Sequence, residues 1–156
     1  MKGDAAIIEV LNEVLTAELT AINEYFIHSK MCQDWGYNKL AVRARHESME
    51  EMKHADAVIE RILYLEGLPN MQRLGSVKVG ESVPEQMRLD LELEIDACER
   101  LDRGIKLCLE KGDHVTRELL EKILADEQEG IDWLEAQLSI IAEIGKERYL
   151  AEQIHD

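Results

Sequence analysis

The chain has 156 residues, a length that suits one domain with enough interior to fold without disulfides or a structural metal. It is 46% hydrophobic but only 4% aromatic and rich in Leu, Ile, Glu and Ala, which favours helix over sheet. A formal charge of −15, from 33 acidic against 18 basic residues, argues against nucleic acid or an anionic membrane as a partner and in favour of cations.

Asp4 is placed to cap a first helix, in which Ile7, Leu11, Val14, Ala21 and Tyr25 recur at the spacing of one buried stripe as far as about Met31. The turn WGYN, residues 35–38, ends it. Leu40, Ala44, Ala55, Val58, Ile62 and Leu65 carry a second helix to GLPN, residues 67–70, where glycine and proline stop it. So short a turn makes these two helices antiparallel neighbours.

Residues 67–82 form a connection of 16 residues, longer than most loops in compact domains. At ~3.3 Å per residue it reaches about 50 Å, enough to run the length of a long helix and join two parallel ones. Ser82 and Glu85 then have capping-box spacing with Pro84 in the first turn, and Met87, Leu91, Cys98, Leu101, Ile105 and Cys108 make a third stripe. After the turn KGDH, residues 111–114, a fourth stripe follows through Leu120, Ile123, Ile131, Leu134, Leu138 and Ile141 to Gly145, and KERYLAEQI is expected to form a short terminal helix. The expectation is an all-α protein: one domain over residues 1–156, a four-helix bundle with a long crossover and a short fifth helix.

The segment MKGDAAIIEVLNE has no apolar run of signal-peptide or membrane-spanning length. Cys32, Cys98 and Cys108 are odd in number and lack Cys-x-x-Cys spacing, which points to a reducing compartment; with no such apolar run and a strongly acidic chain, the expectation is a cytoplasmic protein with no membrane partner.

Each stripe is interrupted once by a glutamate: Glu18, Glu51, Glu94 and Glu127. Glu18 to Glu51 and Glu94 to Glu127 are both 33 residues, so two equivalent hairpins bring the four carboxylates to one level of the bundle. Facing carboxylates repel and cost several kcal/mol to bury, so either protons or cations must hold them. His54 follows Glu51 by three residues and shares its face, adding a nitrogen ligand. Carboxylates with little histidine and no thiolate suit iron or manganese, in the arrangement of ferritin-like di-iron proteins: a Glu from each of two helices and Glu-x-x-His from each of the others. One such pair is complete here; the other reads Glu127-x-x-Gly130.

The stretches MKGD, ELTAINEYFIHSKM, HESMEEMKHAD, ERILYLEGLPN, IDWLEAQL and YLAEQI together resemble the bacterioferritin family, and the resemblance spans the chain. It implies a hollow cage of about 24 ferritin-like subunits that oxidises Fe(II) with dioxygen or peroxide and stores ferric mineral, with iron ions as cargo. By the same resemblance Glu18 and His54 hold one iron of a di-iron centre, Glu94 the other, and Glu51 and Glu127 bridge them. Met52, about 100° around the helix from Glu51, emerges on another face, where the family places one haem b iron between the methionines of two subunits. The haem's implied role is electron transfer for iron release, with an electron-donor protein as a further partner.

His46 and Glu50, four residues apart, are candidate accessory iron ligands on the cavity side, and Tyr25 is a candidate redox or hydrogen-bonding group near the centre. Trp133 reads as core. Two residues depart from the family pattern: Gly130 stands where the second iron's histidine is expected, and Arg45 where an aromatic residue often lies near the haem. Gln128, Glu129 and water are candidate substitutes, although Gln128 and Glu129 project some 100° and 200° from Glu127. Two functions stay open: a homo-oligomeric ferroxidase, or an oxidation-impaired, haem-binding subunit of a mixed cage with an intact second bacterioferritin. A di-iron or di-manganese oxidase of another substrate ranks behind both.

Overall fold

Asp4 Oδ1 accepts the N–H of Ala6 and starts α1, Ala5–Trp35, which runs four residues beyond the expected Met31. Gly36 closes it at φ 88°, a left-handed conformation that glycine adopts without steric cost, so the expected four-residue turn shrinks to Gly36 and Tyr37. In this computed structural model, which describes residues 1–155, α2 covers Asn38–Tyr64, α3 Val83–Lys111, α4 His114–Ile144 and α5 Lys146–Ala151. Ser82 Oγ caps α3 through Glu85 N–H with Pro84 in the first turn, and Asp113 caps α4 through Thr116 N–H. The expected terminal helix is shorter than KERYLAEQI, stopping at Ala151.

The end of α2 differs in kind from the expectation. Glu66, not glycine, takes the left-handed conformation, at φ 63°. Gly67 is needed for space: a Cβ there would lie 2.7 Å from Ile8 Cγ2 and 3.0 Å from Ile62 Cγ2.

The crossover is tied down over much of its length. On α1 a polar residue recurs every helical turn, at Asn12, Thr16, Thr20, Glu24 and His28, and each one bonds the passing strand. Asn12 bonds Leu68 O and the N–H of Asn70, Thr16 accepts from Arg73, and Thr20, Glu24 and His28 accept the backbone N–H groups of Gly75, Lys78 and Gly80. Backbone donors without regular structure are thereby satisfied.

The strap leads from the start of α1 to its end, so α3 begins there and runs antiparallel to α1: Cys32 meets Gln86, His28 meets Asp90, and Tyr25 meets Glu94. Between α2 and α4 the pairs Arg43/Trp133, His54/Asp126 and Arg61/Thr116 also run in opposite order. Helices α2 and α3 are therefore parallel, as the length of the connection allowed.

Two apolar clusters fill the bundle. One contains Leu11, Leu15, Val58, Ile62, Leu101, Leu120 and Ile123, the other Cys32, Leu40, Met87, Leu134 and Tyr149. Each such aliphatic or aromatic side chain contributes about 1.5–3 kcal/mol by leaving water. Between the clusters lies a buried polar layer that includes Glu18, Glu51, His54, Glu94 and Glu127. Among the described residues no helix is long and apolar enough to cross a membrane.

Candidate metal centre

All five predicted ligands are buried: Glu18 at 2% exposure, Glu51 at 3%, His54 at 7%, Glu94 at 2% and Glu127 at 2%. Helical spacing places Glu51 and His54 on one face of α2, and the two hairpins bring Glu18 and Glu127 against them. His54 Nδ1 lies 3.1 Å from Glu127 Oε1 and 3.6 Å from both Glu18 Oε2 and Glu51 Oε2. One ligand atom from each of these four residues falls within 4.8 Å of the others, close enough for one cation.

Glu94 stands across from this group. Its Oε1 accepts a hydrogen bond from the buried Tyr25 hydroxyl at 3.0 Å. The Glu94 carboxyl also faces Glu127 and the bare backbone of Gly130, whose ideal Cβ would sit 3.7 Å from Glu94 Oε2.

The electrostatics are those of a site short of positive charge. Burial raises Glu18 and Glu127; burial and then its neighbours raise Glu51, facing Glu18, and Glu94, facing Glu127, well above the usual carboxylate range. Burial alone would lower His54, but the Glu127, Glu18 and Glu51 carboxylates outweigh it and raise it. Even so, Glu18 Oε2, Glu127 Oε1 and His54 Nδ1 are buried without hydrogen-bond partners, and native interiors rarely leave such atoms unpaired. Both carboxylate oxygens lie within 3.6 Å of His54 Nδ1, so the three atoms belong to one group compact enough to surround a cation.

One residue of the site is absent from the sequence reading. Asp126 Oδ2 accepts the His54 Nε2 proton at 2.8 Å, which orients the imidazole with Nδ1 towards Glu18, Glu51 and Glu127. Its position next to Glu127 carries no hint of this, because adjacent helical residues diverge by about 100° and only the α2–α4 contact shows that Asp126 reaches His54. Gln128 and Glu129 are exposed. A cavity of about 180 Å³ opens over the ligands and is lined by His46, Glu47, Glu50, Glu51 and Gly130 among others. His46 and Glu50 therefore sit at its mouth, His46 Nε2 3.8 Å from Glu50 Oε1, and Lys53 holds the same Glu50 oxygen at 2.9 Å.

A second buried group, Glu24, His28 and Asp90, is also compact enough to surround a cation. Its histidine is spent, however. His28 Nε2 accepts the Gly80 N–H at 3.0 Å, so the proton is on Nδ1, donated to Asp90 at 2.9 Å, and no lone pair is left for a metal. Burial lowers His28 and, with the nearby Asp90, lifts Glu24 to about 8. This group fastens the crossover to α1.

The ferritin family model, described as "Ferritin-like domain", matches residues 8–144. A bacterioferritin of Mycobacterium leprae is 52% identical over 152 residues, covering 97% of this chain and 96% of its own. The bacterioferritin BfrA of Mycobacterium tuberculosis H37Rv is 51% identical over the same shares of both chains. This chain belongs to the bacterioferritin family. The likeness extends outside that genus: a bacterioferritin of Brucella melitensis is 44% identical over 149 residues, 96% of this chain and 92% of its own.

In this member of the bacterioferritins Met52 is 50% exposed, on the face of α2 away from the carboxylates, as its 100° offset from Glu51 requires. Met49 is also exposed there, and Arg45, one turn before it, stacks 5.9 Å from the ring of the exposed Phe26 on α1. Trp133 packs in the second apolar cluster, with the Arg43 guanidinium 4.2 Å over its ring.

Proposed function

We propose that the chain is an iron-storage subunit that oxidises Fe(II) at a di-iron centre inside its own helix bundle and passes ferric iron to the interior of a 24-subunit cage in the cytoplasm. The observation that supports this reading is the convergence of three buried atoms without hydrogen-bond partners, Glu18 Oε2, Glu127 Oε1 and His54 Nδ1, the two oxygens within 3.6 Å of the nitrogen.

Glu18 and His54 would hold the first iron and Glu94 the second, with Glu51 and Glu127 available to both. A pair of ferrous ions supplies one electron each, a two-electron delivery to dioxygen or peroxide. The chain's own part is to gather and orient. Four carboxylates balance the charge of two divalent ions and favour the trivalent product. Asp126 holds the His54 ring by its Nε2 proton, and Tyr25 holds Glu94 by its hydroxyl. Burial favours the protonated forms of Glu51 and Glu94, and a bound cation would compete with those protons. His46 and Glu50, at the mouth of the cavity, give passing iron a polar station.

Met52 offers a soft thioether on an exposed face that also carries Phe26 and Met49, which fits a haem b shared with the same face of a second copy. Bound haem would accept electrons from a donor protein and so serve iron release. The alternative, a haem-binding subunit that leaves oxidation to an intact partner in a mixed cage, rests on Gly130. Stopped-flow oxidation of Fe(II) by the purified homo-oligomer separates the two: saturation near two irons per subunit is the expected result, and a rate no higher than that of free iron would overturn the ferroxidase reading.

A further inference from the structure

Gly130 is buried in α4 with an ordinary helical backbone, so no left-handed conformation calls for glycine there. The space its missing side chain leaves is bounded by two carboxylates. The ideal Cβ lies 3.7 Å from Glu94 Oε2 and 4.0 Å from Glu47 Oε2. Glu94 is an expected ligand; Glu47 is not part of the family's expected ligand set.

Glu47 is on α2, one turn before Glu51 and on the same face. Its side chain is 19% exposed, and its two oxygens have different tasks. Oε1 pairs with Arg43 at 3.1 Å, and the Arg43 guanidinium is itself held 4.2 Å over the Trp133 ring. Oε2 has no hydrogen bond among the described residues and is the oxygen that faces the gap at Gly130. Both residues line the cavity that carries Glu51 and Glu127.

Charge makes the exchange workable. Replacing a neutral imidazole by a carboxylate adds one negative charge to a site that already has four. Arg43 cancels it, so the centre keeps the net charge that balances two divalent ions.

We propose that Glu47 supplies from α2 the ligand that α4 lacks at Gly130, giving the second metal position an all-oxygen set of Glu47, Glu94 and the bridging Glu51 and Glu127. This rests on the di-iron reading above. The first position keeps its nitrogen from His54, so the two positions differ in hardness, and the second favours oxygen-loving ions over zinc.

Anaerobic titration of the metal-free assembled protein with Co(II), followed by calorimetry and by the visible Co(II) bands, tests this without any turnover. Wild type is expected to bind about two ions per subunit. In Glu47→Gln, close to isosteric at a side chain that is not fully buried, one ion remains and the other weakens by at least about tenfold, a loss that even outer-sphere partners produce. Adding Gly130→His to Glu47→Gln restores the second ion, with the band shift of a new nitrogen ligand. That rescue also shows that Glu47→Gln is compatible with folding and assembly, and the one ion retained by the single variant shows that it had folded. Two ions bound by Glu47→Gln as tightly as by wild type would overturn the role of Glu47 and leave the di-iron reading standing. Wild type binding one ion, unchanged in Glu47→Gln, would overturn it as well, whereas wild type binding none would sink both.

Discussion

Replacing Gly130 by alanine asks whether the fold needs a glycine in α4 at all. An alanine Cβ meets its nearest neighbour, Glu94 Oε2, at 3.7 Å and Glu47 Oε2 at 4.0 Å, ordinary contact distances that displace nothing. In a helix interior alanine is favoured over glycine by about 1 kcal/mol, and burying the methyl adds up to about 0.8 kcal/mol. Against this stands the loss of hydration at Glu94, which is small while that carboxyl keeps its proton. The net expectation is a gain of about 1 kcal/mol, or a Tm higher by about 2–4 °C for a chain of this size. Calorimetry on the metal-free protein at fixed subunit concentration and scan rate reads this directly, since association and bound metal both shift Tm. Gly67→Ala is the control of opposite sign: its Cβ would lie 2.7 Å from Ile8 Cγ2, and overpacking of this kind costs about 1–3 kcal/mol. A Gly130→Ala melt below wild type by 2 °C or more would refute the reasoning, because the glycine would then be a packing requirement and not an open ligand position.

Asp126→Leu removes the acceptor of the His54 Nε2 proton and should weaken Co(II) binding at the His54 position by about 10–100-fold; an unchanged isotherm would show that Asp126 does not orient the ring. Glu24→Gln should stabilise the metal-free protein at pH 8 and flatten its pH dependence. Burial holds the Glu24 carboxyl at about 8 against the ordinary 4.5, so folding is unpenalised below pH 4.5 and loses stability as pH rises from there to 8. Denaturant midpoints across that range check it, and equal slopes for both proteins would contradict it. Met52→Leu should abolish the haem absorption bands of reconstituted protein while leaving Fe(II) oxidation intact, because Met52 and the carboxylates are on different faces of α2. Persistence of the bands in the variant would remove Met52 from haem binding.

Helix periodicity and register are local properties, and the features that depend on them were legible in the sequence. The four stripes and the burial of Glu18, Glu51, His54, Glu94 and Glu127 follow from 3.6 residues per turn and the equal hairpin spacing, the caps at Asp4 and Ser82 from their side-chain oxygens, and the parallel pair from the length of the connection. The same arithmetic put Met52 on another face. Helix ends were less legible: α1 overran its expected stop, and Glu66 took the left-handed position beside Gly67, because close contact with Ile8 decides what the neighbouring glycine is for.

The polar ladder from Asn12 to His28 was present in the sequence, but its meaning was not, since only the path of the crossover tells whether a polar stripe faces water or a passing strand. Tertiary structure alone brought Asp126 behind His54 and turned one oxygen of Glu47 towards Gly130. Sequence determined which faces carry the buried carboxylates and His54; packing between helices determined which outlying carboxylates lie beside them, because a side chain's reach across an interface depends on the crossing of two helices and not on the period of either.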